Sequence, residues 1–219
     1  MFQYVLFDLD GTITDPKVGI TKSVQFALKK YGIMVEDLDT LCPFIGPPLY
    51  QSFEEFYHFS HEQALEAVKE YRVYYHDIGI FECTVYDGIP KLLAKLCQSG
   101  VKVILATSKP EEYAIRILKH FDLYQYFYLV AGSTMTESRV EKADIIRYAI
   151  EQIGNMERKN TFEVSKACMV GDRKFDAIGA AETGMRCVLV SFGYGEMEEL
   201  KACHPYAIAD SVKELERIL

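Results

Sequence analysis

Asp8 and Asp10 stand two residues apart in Asp8-Leu9-Asp10-Gly11-Thr12, directly behind the apolar run Tyr4-Val5-Leu6-Phe7. That run has the length and the aromatic and aliphatic character of a strand, and the glycine after it signals a turn. Two carboxylates at i and i+2 where the chain bends come close to one point. Like charges a few ångströms apart resist joint ionisation unless a cation or a proton relieves them. Strand ends in α/β proteins are also where ligands bind. The pair therefore suits acid–base, nucleophilic or cation-assisted chemistry.

Further polar groups fall at the ends of other apolar runs. Thr107-Ser108-Lys109 follows Val101–Ala106, Gly171-Asp172 follows Cys168–Val170 with Asp176 a helical turn on, and Lys142 opens the segment after Tyr126–Val130. Strand-like runs at 4–7, 101–106, 126–130, 167–170, 187–190 and more weakly 206–209 alternate with segments whose apolar residues recur at three and four. Examples are Ile89-Leu92-Leu93-Leu96 and Ile145-Ile146-Ala149-Ile150. Such alternation predicts an α/β fold with a parallel sheet between helices. In a parallel sheet the C-terminal strand ends share one edge, which would gather four carboxylates, a hydroxyl and an ammonium group there.

One region breaks the pattern. Between about Lys17 and Cys83 no strand is evident, and helical periodicity covers 18–31, 49–59 and 61–75, with Pro43, Gly46, Pro47 and Pro48 separating the first two. The predicted organisation is a core of residues 1–16 and 84–219 with a helical insert at 17–83.

The chain has 219 residues, 49% of them hydrophobic, and a net charge of −8. That acidity argues against a nucleic acid polymer or an anionic membrane as partner, and no apolar run approaches the roughly 18 residues of a membrane span. Six scattered cysteines (42, 83, 97, 168, 187 and 203) form no CxxC pair and read as small core residues. With no signal-like N-terminus, the expectation is a cytoplasmic protein in a reducing compartment. His58 and His61, at i and i+3, lack a completing Cys or acid and read as packing or surface residues.

With its four motifs in order, the chain resembles the haloacid dehalogenase (HAD) superfamily. Asp8–Thr12 matches the first motif, Thr107 the second, Lys142 the third and Gly171–Asp176 the fourth. The insert resembles the helical cap of the subgroup containing phosphoglycolate phosphatases and β-phosphoglucomutases. Within it, Phe44-Ile45-Gly46-Pro47-Pro48-Leu49 looks more like the phosphatases. The resemblance implies a Rossmann-like core with an inserted α-helical cap that closes over the site and sets specificity. It also implies a Mg²⁺-dependent phosphatase acting on a small organic phosphomonoester through an aspartyl-phosphate intermediate.

By that resemblance Asp8 is the nucleophile and Asp10 the general acid and base. Thr107 and Lys142 hold the phosphoryl group, with Gly11 and Ser108 bringing backbone amides to it. Asp8, Asp10 (by its carbonyl) and Asp172 hold the metal, and Asp176 supports them. Asp15 is read as structural, and Lys109 competes with Lys142 for the charge-neutralising role. An acid at i+2 argues against dehalogenation, which does without one. Phosphoglycolate leads as substrate, with nucleotides and sugar phosphates as rivals. A phosphomutase and a non-catalytic binding protein are the remaining readings. A monomer or weak homodimer is expected.

Overall fold

A computed structural model describes residues 2–136, 139–157 and 162–219. The chain forms two compact units, Met1–Thr14 with Val85–Leu219, and Asp15–Thr84. In chain order the elements begin β1 (Tyr4–Phe7), β2 (Thr14–Asp15), α1 (Lys17–Lys30), α2 (Leu49–Tyr57), α3 (His61–Tyr75) and β3 (Thr84–Val85). Then come α4 (Ile89–Gln98), β4 (Lys102–Pro110), α5 (Glu111–His120), β5 (Leu129–Ser133) and α6 (Lys142–Glu157). The chain continues with β6 (Ala167–Gly171), α7 (Lys174–Glu182), β7 (Arg186–Val190), α8 (Met197–Ala202), β8 (Ala207–Ala209) and α9 (Val212–Ile218).

The larger unit is built on a six-stranded sheet in the order β5-β4-β1-β6-β7-β8, with every pairing parallel. Both faces are covered, as an all-parallel sheet requires. Tyr4, Leu6, Ile104, Ala106, Met169, Cys187 and Leu189 join Ile145, Ile146 and Ala149 of α6 and Ala177 and Ala180 of α7 in one buried cluster. The alternate strand residues Val5, Phe7, Val103, Leu105, Cys168, Val170, Val188 and Val190 are buried as well. Hence the strands read as unbroken apolar runs.

From β1 the chain goes first to β4 and β5 on one side and later returns to β6 on the other. The C-terminal end of β1 is thus the switch point of the sheet, where a crevice opens and ligands bind in such folds. Asp8 is the next residue.

The smaller unit is helical. α3 starts on a capping box, with Ser60 Oγ accepting from the Gln63 amide and Gln63 Oε1 accepting from the Ser60 amide. A short 3₁₀ helix at Leu38–Phe44 takes in Pro43, the first residue of the proline-rich stretch. Phe44 and Ile45 are buried, and Phe44 packs against Phe53, Phe56 and Tyr57.

Two expectations shift by a few residues. The fifth sheet strand starts at Leu129 rather than Tyr126, because residues 124–126 take a 3₁₀ turn. β4 runs past Ala106 to Pro110, with its pairing to β5 slipping between Thr107 and Pro110. Pro110 precedes α5 as its N-cap.

Candidate active site

The loop after β1 is wound tightly. The Leu9 carbonyl accepts from the amides of Ile13 and Thr14, both at 2.9 Å, and the Gly11 amide donates to Thr14 O at 2.7 Å. Gly11 has φ +80°, and a Cβ there would sit 2.1 Å from Oδ2 of Asp172. What glycine supplies is therefore the left-handed turn and the room for Asp172, since its own amide is committed to Thr14.

Asp8 is buried. Its Oδ1 accepts from the Leu9 amide at 2.8 Å and lies 3.0 Å from Lys142 Nζ. Lys142 is the first residue of α6, an unfavourable end of a helix for a cation. It is held there by carboxylates: Asp8, Asp176 Oδ1 at 2.8 Å, and a further bond donated to Ala106 O at 3.0 Å. Burial alone would lower the Lys142 pKa, but Asp176 and Asp8 outweigh it and drive it upward. The ammonium stays charged between the two carboxylates. Gly179 of α7 makes room for its stem, because a Cβ there would meet Cβ and Cγ of Lys142 at 2.8 Å.

Asp172, one residue past β6, is almost completely buried. Its Oδ2 accepts from the Tyr194 amide at 2.7 Å, while its Oδ1 has no hydrogen-bond partner among the described residues. Burial, with Asp176 and Asp8 nearby, pushes its carboxyl well up. Asp176, in the first turn of α7, accepts from the Arg173 amide at 3.1 Å through Oδ2. Burial pushes it up too, and Lys142 opposes that.

Asp10 is paired with Lys109. Lys109 Nζ lies 2.7 Å from Asp10 Oδ2, with the two side chains only 6% and 13% exposed. Burial raises the Asp10 pKa against the pull of Lys109, and Asp10 Oδ1 has no hydrogen-bond partner among the described residues. Thr107 is buried beside them, its Oγ1 accepting from the Lys109 amide at 3.3 Å. The Ser108 hydroxyl donates to Val140 O at 3.3 Å, in the loop before α6.

The structure thus brings together Asp8, Asp10, Lys142, Asp172 and Asp176 with Thr107 and Gly11 at the switch point. Lys109 joins them at Asp10, apart from the partners of Lys142. Sequence reasoning left its place open and passed over the Tyr194 amide. The flanking Gly193 was the available signal, because a Cβ there would lie 2.4 Å from both Asp172 Cβ and Gly11 O. Asp15 is engaged locally, its Oδ1 accepting from the Lys17 amide at 3.0 Å. His61 pairs with Glu54 at 2.8 Å on the surface of the smaller unit, an acid that the sequence reading overlooked.

Do these residues fit a metal ion? Four buried or nearly buried carboxylates face two ammonium groups, leaving about two negative charges. Asp8, Asp172 and Asp176 offer carboxylate oxygens all within 4.8 Å of one another. An all-oxygen set with an unpartnered buried carboxylate oxygen on Asp172 suits a hard divalent cation.

Comparison with known proteins gives concordant results. The sequence profile described as haloacid dehalogenase-like hydrolase matches residues 5–190. A 5′-nucleotidase of Pseudomonas aeruginosa is 40% identical over 215 residues, covering 98% of this chain and 94% of that protein. The tyrosine-protein kinase PtkA of Mycobacterium tuberculosis is 38% identical over 90% of this chain, a match spanning 64% of PtkA. The crystal structure of a predicted phosphatase from Clostridium acetobutylicum superposes with a TM-score of 0.94 at 44% identity, covering 100% of this chain and 98% of that one. No helix among the described residues is long and apolar enough to cross a membrane.

Proposed function

The chain belongs to the haloacid dehalogenase-like hydrolases and is a phosphoric monoester hydrolase, and we propose that it dephosphorylates nucleoside 5′-monophosphates with Mg²⁺ through an Asp8 phosphoenzyme. The observation that carries the chemistry is the clamp on Asp8. Oδ1 is fixed by the Leu9 amide and Lys142, which leaves Oδ2 as the attacking atom.

In the first half-reaction Asp8 Oδ2 bonds to phosphorus, the ester P–O bond breaks, and Asp10 gives its proton to the departing oxygen. In the second, water attacks the same phosphorus as Asp10 takes one of its protons, and the bond to Asp8 breaks. The sum is ester plus water giving alcohol plus phosphate. Thr107 donates to a phosphoryl oxygen and Lys142 offsets the charge gathering on the transferred group, the main source of acceleration in phosphoryl transfer. Asp8, the Asp10 carbonyl and Asp172 would hold Mg²⁺, with Asp176 keeping Lys142 in place. When bound, Mg²⁺ supplies charge neutralisation between the phosphoryl group and the carboxylates.

Similarity along nearly the whole chain to a 5′-nucleotidase supports nucleotides as the first substrates to test. Phosphoglycolate is the second reading, favoured by the segment Phe44–Leu49. Its apolar half, Phe44 and Ile45, is buried in the packing of the smaller unit, which weakens that segment as a specificity signal.

The test is phosphate release from nucleoside 5′-monophosphates, phosphoglycolate and sugar phosphates, with Mg²⁺ or with EDTA, using Asp8→Asn as control. Nucleotides ahead in kcat/KM by about 100-fold, or 2.7 kcal/mol, would establish the substrate class. A lead for phosphoglycolate would overturn the nucleotide assignment, and activity surviving Asp8→Asn would overturn the phosphoenzyme.

A further inference from the structure

Two lysines with nearly buried side chains, Lys142 and Lys109, pair with three of the four carboxylates of the site. Lys142 is engaged by Asp8, Asp176 and the Ala106 carbonyl. Lys109 pairs with Asp10, at 2.7 Å through Oδ2, from a position where only 6% of its side chain is exposed. A cation is placed in such surroundings at a large desolvation cost, which only a well-placed partner offsets.

The backbone ties this lysine to the reacting edge. Lys109 and Thr107 lie two apart in β4, where side chains share a face, and the Lys109 amide donates to Thr107 Oγ1. The slip in pairing between Thr107 and Pro110 releases this stretch from regular register with β5, and such irregularities re-aim side chains next to active sites. The outcome is a carboxylate with one oxygen pinned and one unpartnered: Asp10 Oδ2 on Lys109, and Oδ1 buried without a hydrogen-bond partner among the described residues.

We propose that Lys109 is a positioning residue that fixes the Asp10 carboxylate by Oδ2, so that Oδ1 is the atom that passes the proton to the leaving-group oxygen. It rests on the general acid–base role assigned to Asp10 above. Lys109 does not transfer the proton and does not bind the phosphoryl group. It removes the rotational freedom of the group that does the transfer.

The experiment compares two substrates: p-nitrophenyl phosphate, whose leaving group departs as a stable anion with little need of a proton, and a nucleoside 5′-monophosphate, whose alkoxide needs one. Lys109→Met and Lys109→Arg are assayed with Asp10→Asn and the double variant, kcat and KM being resolved for each substrate. Asp10→Asn should lower kcat on the nucleotide by about 10²-fold or more and much less on the aryl ester. Lys109→Met should show the same asymmetry at roughly tenfold, Lys109→Arg should recover part of it, and adding Lys109→Met to Asp10→Asn should cost little more.

Equal losses on both substrates with a raised KM would mean that Lys109 binds the phosphoryl group. Equal losses in kcat with a lowered melting temperature would mean that it only supports the fold. Either result, with the Asp10→Asn asymmetry intact, overturns the role of Lys109 alone. Absence of the asymmetry in Asp10→Asn itself overturns the role of Asp10 on which this one depends.

Discussion

Gly179 and Gly154 offer a matched pair of substitutions with opposite expected signs. Each lies within a helix, Gly179 in α7 and Gly154 in α6. In an open helix position, glycine to alanine stabilises by about 0.8–1 kcal/mol through the unfolded chain. At Gly154 an added Cβ meets nothing within 4 Å, so that gain should appear in full. At Gly179 the same methyl would lie 2.8 Å from Cβ and Cγ of Lys142 and 2.9 Å from the Ala143 amide nitrogen. Those atoms are the root of a side chain and a stretch of helix backbone, so neither gives way cheaply. Overpacking of this sort costs about 1–3 kcal/mol, and the net for Gly179→Ala is about 0–2 kcal/mol destabilising.

For a chain of this size each kcal/mol moves the melting temperature by about 2–4 °C. Gly154→Ala should therefore melt roughly 2–4 °C higher than the parent, and Gly179→Ala up to about 8 °C lower, by differential scanning calorimetry. Phosphate release supplies the second axis. A displacement of a few tenths of an ångström at the Lys142 stem should cost about tenfold in kcat, scaled from the 10²-fold of a 1 Å misplacement. Gly154→Ala should leave kcat unchanged. If Gly179→Ala instead melts higher and keeps its kcat, close packing of α7 on Lys142 does not hold the ammonium in place.

Lys142→Met should abolish phosphate release and destabilise by about 3–5 kcal/mol in chemical denaturation, because it strands Asp8 and Asp176 in the interior. Loss of activity at parental stability would contradict that. Mg²⁺ should raise the melting temperature of the parent, by the equivalent of about 2.7 kcal/mol at a hundredfold excess over Kd, and Asp172→Asn should lose most of that rise. The thiols of Cys168 and Cys187 should stay silent to an aromatic disulfide reagent until the protein unfolds, while the exposed Cys97 reacts. Burial pushes the Cys168 thiol up to about 12 and Cys187 well up, so native-state reaction at either would mean that the sheet opens there.

Much of the site could be read from sequence because its residues follow apolar runs in a repeating α/β order. Asp8 and Asp172 each follow the last residue of a strand, Thr107 sits where the regular pairing of β4 ends, and parallel topology carries them to one edge. The strands were harder to bound where the apolar signal ran on or stopped early. Tyr126 and Phe127 extend the signal ahead of β5 into a turn, and Thr107-Ser108-Lys109 cut it short in β4 because the site needs polar residues there. Lys109 illustrates a deeper limit. Its partner is 99 positions away in sequence, and the direction of its side chain depends on a local slip in strand pairing that composition does not encode. Gly11 and Gly179, which make room for Asp172 and Lys142, were equally silent, since what they avoid lies on other elements.

The position of β1 at the centre of the sheet has a consequence for synthesis on the ribosome. β1 lies between β4 and β6, and β6 leaves the ribosome about 160 residues after it, roughly 8–30 s later at ordinary elongation rates. Through that interval an apolar strand and the aspartate behind it have at most one neighbour. The helical segment between β2 and β3 closes on local contacts and can fold early, whereas the edge that does chemistry must wait for its most distant pairing. Catalytic competence is thus among the last properties the nascent chain acquires, and the exposed β1 is the segment with the longest opportunity to pair wrongly or to be held by a chaperone.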